Sequence, residues 1–354
     1  MLKYPHIWRL TRVSNMAQHF LLSAKARSLS LVQIFTLTDD SAFELFSAFE
    51  LFKESRWGDG DPVCPACGLI DKHYFIKTRK QWRCKGYNHT FSITSGTLFA
   101  HHKLPLKIYL GAVALYTNTA KGFSALQLSR DLDVQYKTAF VMMHKIQESL
   151  MDADTAKLGG EVEIDGAYVN GYVRPENEKA DRKDLRLVEN QNPNKRCIIT
   201  IRERGEKGEG AVKTKTFVVK SENQADIKKL AETHIDGEAT IHADDAKCYD
   251  ALHAKFDMKR VNHQERYKGD RGECTNQAES YFSRFRRMHK GQVHKMGNQN
   301  LDAYANECGY REDTRRWSTG QIFADITGRC ATKPTSRNWC GYWQGNKVVD
   351  KLAA

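Results

Sequence analysis

Hydrophobic and polar positions repeat with two different periods along the chain, and the change of period predicts different structures for its two halves. Between residues 104 and 150, apolar side chains recur every three or four positions, which predicts helices on either side of a short turn at Asp133. From residue 156 onward, short β-branched runs alternate with segments of helical period. The predicted strands are 161–169, 196–202, 216–220, 239–243 and 258–262, and the predicted helices are 222–234, 246–256, 276–289 and 301–317. This order of elements predicts a mixed α/β sheet.

Three carboxylates stand where predicted strands end or a predicted helix begins. Asp165 follows the β-branched run 162–164, Asp244 follows the strand at 239–243, and Glu279 lies in the helix at 276–289. We expect neighbouring strands to bring the two aspartates together and the helix to lay Glu279 across their ends. Acids clustered in this way stay ionised together only when cations neutralise them, and two Mg²⁺ or Mn²⁺ ions so held would support an in-line displacement at phosphate. An acid at a strand end is also a common turn former or helix cap, and that alternative stays open.

Three cysteines have the spacing of a zinc knuckle. Cys64 and Cys67 belong to a CPACG motif, and Cys84 follows after sixteen further residues. The spacing calls for a fourth cysteine at position 87, where the chain has Tyr87, so His89 is the candidate fourth ligand of a structural Zn²⁺. The alternative is a degenerate ribbon that holds metal weakly or not at all.

The helical region has the pattern of a helix-turn-helix. Ser124 is a candidate N-cap, and the turn at Asp133 separates two helices with inward-facing apolar residues. Side chains predicted to be exposed on the second helix and therefore candidates for DNA contact are Gln135, Tyr136, Lys137, His144 and Lys145. An ordinary helical hairpin has a similar pattern, so the sequence leaves both interpretations open.

Composition agrees with a globular protein that binds a polyanion. The chain is 40% hydrophobic and 28% charged, and it has no apolar stretch near the roughly 18–20 residues that cross a bilayer. Nine cysteines, with three of them between 64 and 84, suit a reducing compartment and a metal site better than a disulfide framework. We therefore predict a cytoplasmic protein with no membrane partner. A net charge of +12 favours nucleic acid as the partner.

These motifs, taken in order, resemble a bacterial insertion-sequence DDE transposase of the Merlin-related group. The resemblance covers roughly residues 60–317, and it depends on the segments at 64–68, 91–97, 162–168, 243–249, 275–284 and 304–307. It implies a multidomain α+β protein with an N-terminal helical segment, a zinc ribbon, a helix-turn-helix and an RNase H-like α/β mixed-sheet catalytic domain. The implied boundaries are 1–60 for the helical region, 61–100 for the ribbon, 101–155 for the helix-turn-helix, 156–317 for the DDE domain and 318–354 for a C-terminal tail.

The resemblance also implies roles for individual residues. Asp165, Asp244 and Glu279 would be the catalytic metal ligands, with Asn276 as a reserve candidate. Basic residues in the same helix, Arg284 and Arg286, would hold DNA phosphates. The implied activity is binding of the element's terminal inverted repeats in double-stranded DNA, followed by strand cleavage and strand transfer within a homodimer or larger synaptic complex. A DNA-binding regulator or inactive remnant with a non-catalytic domain is the alternative, and a nuclease without joining activity is a third possibility.

Overall fold

The chain folds into two compact units that are discontinuous in sequence. The computed structural model describes residues 25–37, 47–151, 155–206, 208–262, 269, 272–339, 341–345, 349 and 352–353. The first unit combines Met1–Leu150 with Arg316–Lys347, and the second combines Met151–Arg315 with Val348–Ala354. The predicted N-terminal helical region at 1–60 lies partly outside the described residues.

The first unit begins with two helices and a small antiparallel sheet. Helices α1 and α2 span Leu31–Phe35 and Ala48–Trp57, and the strands β1, β2 and β3 span His73–Ile76, Gln81–Cys84 and Thr90–Ser92. The sheet order is β1-β2-β3. Phe49 of α2 stacks on Trp82 of β2 with ring centroids 5.7 Å apart. The small sheet therefore gains part of its apolar contact from α2.

Three further helices of the first unit lie where the sequence predicts helices between residues 104 and 150. They are α3 at Leu106–Asn118, α4 at Ala125–Asp131 and α5 at Tyr136–Leu150. The hydroxyl of Ser124 accepts a hydrogen bond from the backbone N–H of Gln127 at 3.1 Å, which confirms the predicted N-cap. Asp133 lies in the turn with φ of +50°, a left-handed conformation that aspartate tolerates better than most residues. Leu128 and Leu132 are buried between the helices.

The segment treated as a C-terminal tail contains a helix. Helix α9 spans Thr319–Thr332 and begins at a capping box in which Ser318 and Gln321 bond each other's backbone. It packs against α2, α3 and α5, so the first unit closes with residues from the far end of the chain. The backbone N–H of Leu98, in the segment between β3 and α3, also donates to the carbonyl of Cys330 of α9 at 3.3 Å.

The second unit is built on the predicted mixed sheet. Its five strands are β4 at Glu161–Val169, β5 at Arg196–Arg204, β6 at Ala211–Val219, β7 at Thr240–Asp244 and β8 at Asp257–Val261. They lie in the order β6-β5-β4-β7-β8. The first three strands run antiparallel, whereas β7 and β8 run parallel to β4.

Helices cover the sheet of the second unit, and two connections differ from the prediction. Helices α6, α7 and α8 span Gln224–His234, Asn276–Met288 and Asn298–Asp313. The predicted α-helix at 246–256 is instead a 3₁₀-helix at Lys247–Ala254. The predicted helix at 301–317 begins earlier and ends at Asp313. The segment 174–195, between β4 and β5, is largely exposed and contains two short 3₁₀ turns, Lys179–Asp181 and Val188–Asn190.

Strand β4 divides its side chains between the two faces of the sheet. Val162 and Ile164 are buried in the apolar core with residues of α6 and the 3₁₀-helix. Successive side chains of a strand point to opposite faces, so Glu163 and Asp165 share the other face. There Glu163 contacts the first turn of α7. One strand therefore supplies both a core face and an acidic face.

No helix in the described part of the chain is both long enough and apolar enough to span a membrane.

Candidate active site and metal centre

The two predicted aspartates lie on adjacent parallel strands. Asp165 is on β4 and Asp244 is the last residue of β7. The register between these strands pairs Glu163 with His242, and the same register continued by two residues sets Asp165 beside Asp244. Glu279 lies in the first turns of α7, which packs on β4. The structure thus brings the three predicted acids to one side of the sheet.

Burial and neighbouring acids change the ionisation of Asp165. Burial is the largest influence and raises its pKa, whereas a hydrogen bond from the backbone N–H of Gly166 at 2.8 Å lowers it. The negative charges of Glu222, Asp244 and Glu279 raise the pKa further, and the result is about 7. These acids therefore face one another closely enough to repel, which is the arrangement that a hard divalent cation would relieve.

The three predicted acids border a common space but do not converge on one point. Among the described residues, the cysteines Cys64, Cys67 and Cys84 form the one group of metal-ligand atoms that all lie within 4.8 Å of one another. Asp165, Asp244 and Glu279 lie close enough for the charges of the other two to raise the pKa of Asp165, but they do not form such a group.

A fourth acid, Glu222, was not identified from the sequence. Its carboxylate lies against Gly166, where an added Cβ would come within 2.7 Å of Oε1 and Cδ. The hydroxyl of Tyr249, a fully buried residue, donates to Oε1 at 2.5 Å. Glu222 stands between β6 and α6, the same kind of strand-end position that singled out Asp165 and Asp244. The predicted helix at 222–234 includes Glu222, so the sequence pattern does not show its position after a strand.

The two arginines of α7 that are predicted to bind phosphate differ in the side chains that they contact. Arg284 forms an ion pair with Glu312 of α8, with Nη1 and Oε1 2.5 Å apart. Arg286 is exposed, and its guanidinium lies 5.9 Å from the centre of the Phe282 ring. Arg286 is therefore better placed than Arg284 to meet a phosphate. Asn276 is exposed one helical turn before Glu279.

The residues in and next to α5 that are predicted to contact DNA differ in how exposed they are. Gln135, Tyr136 and Lys137 are exposed at the start of the helix, and Lys145 is half-buried. The prediction that His144 is exposed is wrong. Its ring is buried, stacked on Trp339 with centroids 4.7 Å apart, and burial lowers its pKa to about 3. A neutral buried imidazole does not offer a charge to DNA.

The three cysteines of the first unit form a ready donor set for zinc. The sulfurs of Cys67 and Cys84 are 3.6 Å apart, and all three thiols lie within 4.8 Å of one another. Burial alone would raise the pKa of the Cys84 thiol, but hydrogen bonds from backbone N–H groups of Tyr87 and Gly86 lower it to about 7. Such donors stabilise the thiolate that binds Zn²⁺, so the residues fit this ion.

His89 does not complete the cysteine group. Its ring nitrogens are not among the ligand atoms that lie within 4.8 Å of one another. The ring is parallel to that of Phe91, with centroids 6.5 Å apart, and the backbone carbonyl accepts a hydrogen bond from the N–H of Cys84. The three cysteines are therefore the ligand atoms that the structure brings together, and His89 as a fourth ligand stays a prediction.

Comparison with known families identifies both units. Residues 157–313 match the family described as ISXO2-like transposase domain, and residues 38–89 match the transposase zinc-ribbon domain. Both matched families are transposase domains. The transposase domain includes the four acids described above, and the zinc-ribbon domain includes the three cysteines. The resemblance inferred from the sequence motifs is confirmed.

A relative supports the same assignment. The chain is 26% identical over 211 residues to an uncharacterized protein in the transposable element ISH50 of Halobacterium salinarum. The aligned region covers 58% of this chain and 69% of the relative.

Proposed function

We propose that this transposase binds the ends of an insertion sequence and cuts and joins DNA by metal-dependent phosphoryl transfer. The observation that carries the proposal is the meeting of Asp165, Asp244 and Glu279 within the matched domain, where their charges act on one another. Such a cluster has little use in a protein that only binds DNA, because the repulsion destabilises the fold.

The order of strands supports an RNase H-like catalytic fold. The three antiparallel strands lie on one side of the sheet, and the two parallel strands lie beside β4. The two aspartates lie on the adjacent strands β4 and β7, and the third acid lies on α7, which packs on β4 and β5. A rigid sheet and helix of this kind hold ligands in place better than loops do.

Asp165, Asp244 and Glu279 would hold two Mg²⁺ or Mn²⁺ ions. When bound, these ions would polarise the scissile phosphate and lower the pKa of the attacking water or DNA 3′-hydroxyl. Local hydrogen bonds already orient two of the carboxylates. Oδ1 of Asp165 accepts from the N–H of Gly166 at 2.8 Å, and Oδ1 of Asp244 accepts from the N–H of Asp245 at 2.6 Å. Because Oδ1 is held by a hydrogen bond, the orientation of each carboxylate, and with it the position of Oδ2, is restricted.

The reaction needs no covalent protein intermediate. An oxygen of water attacks phosphorus, the bond to the departing DNA oxygen breaks, and that oxygen becomes the 3′-hydroxyl after it gains a proton. The freed 3′-hydroxyl then attacks a target phosphate in the same way. The protein supplies position and charge, which are the main requirements of phosphoryl transfer.

The first unit supports the binding of DNA. Gln135, Tyr136 and Lys137 are exposed at the N-terminal end of α5, the helix that follows the turn, which is where a helix-turn-helix protein reads the major groove. The zinc ribbon would be stabilised by Zn²⁺ on Cys64 and Cys67 with Cys84. Because two ends of an element are joined in one reaction, we propose that a homodimer or larger assembly binds both.

The test is cleavage of a labelled duplex that carries one end of the element. With Mg²⁺, the wild-type protein should produce a nicked end and, with target DNA present, joined strands that sequencing detects. Asp165→Asn should bind the duplex as tightly as wild type but leave it uncut. Binding without cleavage by the wild type would favour a DNA-binding regulator, and cleavage without joined products would favour a nuclease.

A further inference from the structure

We propose that Glu163 is a positioning residue that fixes Glu279 relative to Asp165. This inference rests on the proposed function, because it concerns how the proposed ligand set is held together. The carboxylate of Glu163 bonds the first turn of the helix that carries Glu279.

The Glu163 carboxylate acts as the cap of α7 from another element. Its Oε2 accepts hydrogen bonds from the backbone N–H groups of Gln277 at 2.7 Å and Ala278 at 3.0 Å. These are the second and third residues of the helix, whose N–H groups have no partner within it. Thr275 occupies the N-cap position but makes no side-chain capping bond. Glu163 therefore supplies the cap that the local sequence lacks.

The other carboxylate oxygen of Glu163 also accepts a hydrogen bond. Oε1 of Glu163 accepts from Nε of Arg204 at 2.6 Å, and the Glu163 side chain is fully buried. Arg204 also donates to the carbonyl of Cys274 at 2.6 Å, and Arg202 donates to the carbonyl of Gln277 at 2.6 Å. Side chains from β4 and β5 thus bond the backbone on both sides of Thr275. A charge-assisted network of this kind resists displacement.

The consequence for the active site follows from the spacing along the two elements. Glu163 and Asp165 are two residues apart on β4 and share a face. Glu279 follows directly after Ala278, whose N–H is bonded to Glu163. One side chain therefore ties the backbone next to the third acid to the strand that carries the first. Partners that orient metal ligands in this way typically change metal affinity or activity by about 10–100-fold when they are replaced.

The experiment measures Mn²⁺ binding to the zinc-loaded full-length protein in the absence of DNA, by the electron paramagnetic resonance signal of free Mn²⁺. Glu163→Gln should weaken Mn²⁺ binding by about tenfold or more, because the uncharged amide cannot serve Arg204 and both N–H groups equally. Asp313→Asn is the matched control. Asp313, the last residue of α8, also bonds a backbone N–H with its carboxylate, that of Thr214 of β6 at 2.8 Å, and its link to α7 is indirect, through Thr214 and Arg202. Its Mn²⁺ affinity should stay within about twofold of wild type.

A double-variant measurement distinguishes a positioning role from a general loss of stability. If Glu163 acts through Glu279, then Glu163→Gln combined with Glu279→Gln should bind Mn²⁺ no more weakly than Glu279→Gln alone. Hydrogen exchange at the amides of Gln277 and Ala278 should also accelerate in Glu163→Gln and remain unchanged in Asp313→Asn.

The outcomes separate this inference from the proposed function. Wild-type Mn²⁺ affinity in Glu163→Gln, with binding lost in Asp165→Asn, would overturn the positioning role alone. Equal, weak binding by wild type and Asp165→Asn would overturn the proposed metal site and this inference with it. If Glu163→Gln does not fold, Glu163→Asp serves in its place, since it keeps the charge beside Arg204 but is one methylene too short to hold both α7 N–H groups as well. Reduced affinity there supports the inference, and unchanged affinity overturns it.

Discussion

Replacing Asp165 by asparagine should make the metal-free protein more stable at pH 8, although it removes a proposed catalytic ligand. The carboxyl has a pKa of about 7 in the folded protein, because of burial and of the charges of Glu222, Asp244 and Glu279. In the unfolded chain the same group titrates near its ordinary value of 3.8. Between these two values the folded state binds more protons, so the stability of the wild type should fall as the pH rises from about 4 to about 7.

The magnitude follows from the difference in pKa. A shift from 3.8 to about 7 is about three pKa units, and each unit corresponds to about 1.36 kcal/mol. The full effect would be about 4 kcal/mol above pH 7. Because solvent reaches part of this side chain and screens its charge, we expect about 2 kcal/mol. Asp165→Asn removes the charge and should gain that amount at pH 8 but little at pH 4.

Native-state hydrogen exchange of the β4 and β5 amides is the assay, since it reports the opening free energy of the second unit alone. Asp245→Asn is the control. Asp245 is the next residue after Asp244, is 61% exposed, and lies 3.8 Å from Arg260, so its replacement should change stability by less than about 0.5 kcal/mol. Saturating Mg²⁺ should stabilise the wild type and reverse the advantage of the variant. Equal stability of Asp165→Asn and wild type at pH 8 without metal would refute the reasoning.

Three further predictions concern other parts of the molecule. Gly166→Ala places a Cβ within 2.7 Å of the Glu222 carboxylate, which must move and lose its buried hydrogen bond, so the opening free energy of the second unit should fall by about 1 kcal/mol. His89→Ala should retain one Zn²⁺ per chain by elemental analysis, whereas Cys84→Ser should lose it, because the imidazole stands outside the cysteine group. Lys137→Ala should lower the slope of log affinity for end-bearing DNA against log salt by about 1, since one exposed cation leaves the α5 surface.

Each of these has a control and an outcome that contradicts it. Gly237→Ala has no atom within 4 Å of the added Cβ, so it should leave stability unchanged; an equal loss in both variants would contradict the first prediction. Loss of zinc from His89→Ala would show that the imidazole is a ligand after all. Lys255→Ala removes a cation of the second unit, and its salt slope should match that of the wild type. If Lys137→Ala has the same salt slope as the wild type, Lys137 of α5 does not contact a DNA phosphate.

Local patterns in the sequence were enough to predict most of the elements around the site. The run at 161–169 coincides with β4, because β-branched residues that alternate between faces favour a strand wherever they lie. The start of α7 at Asn276 also agrees with the prediction. The 3₁₀-helix at Lys247–Ala254 was read as α-helical, since apolar spacing over eight residues does not separate the two forms. The sequence pattern did not single out Glu222, because the predicted helix begins at residue 222. In the structure α6 begins at Gln224, and Glu222 lies in the connection before it.

The sequence alone determined the kind of chemistry: three acids at strand and helix ends, three cysteines at zinc spacing and an excess of positive charge follow from residue types and their order. Only the tertiary structure decided which side chains act together. It buried His144 between aromatic rings, left His89 outside the cysteine group, brought Glu222 over Gly166 and joined Glu163 to the first turn of α7. These pairings connect residues far apart in the chain, and they depend on strand register and helix packing, which local sequence patterns do not specify.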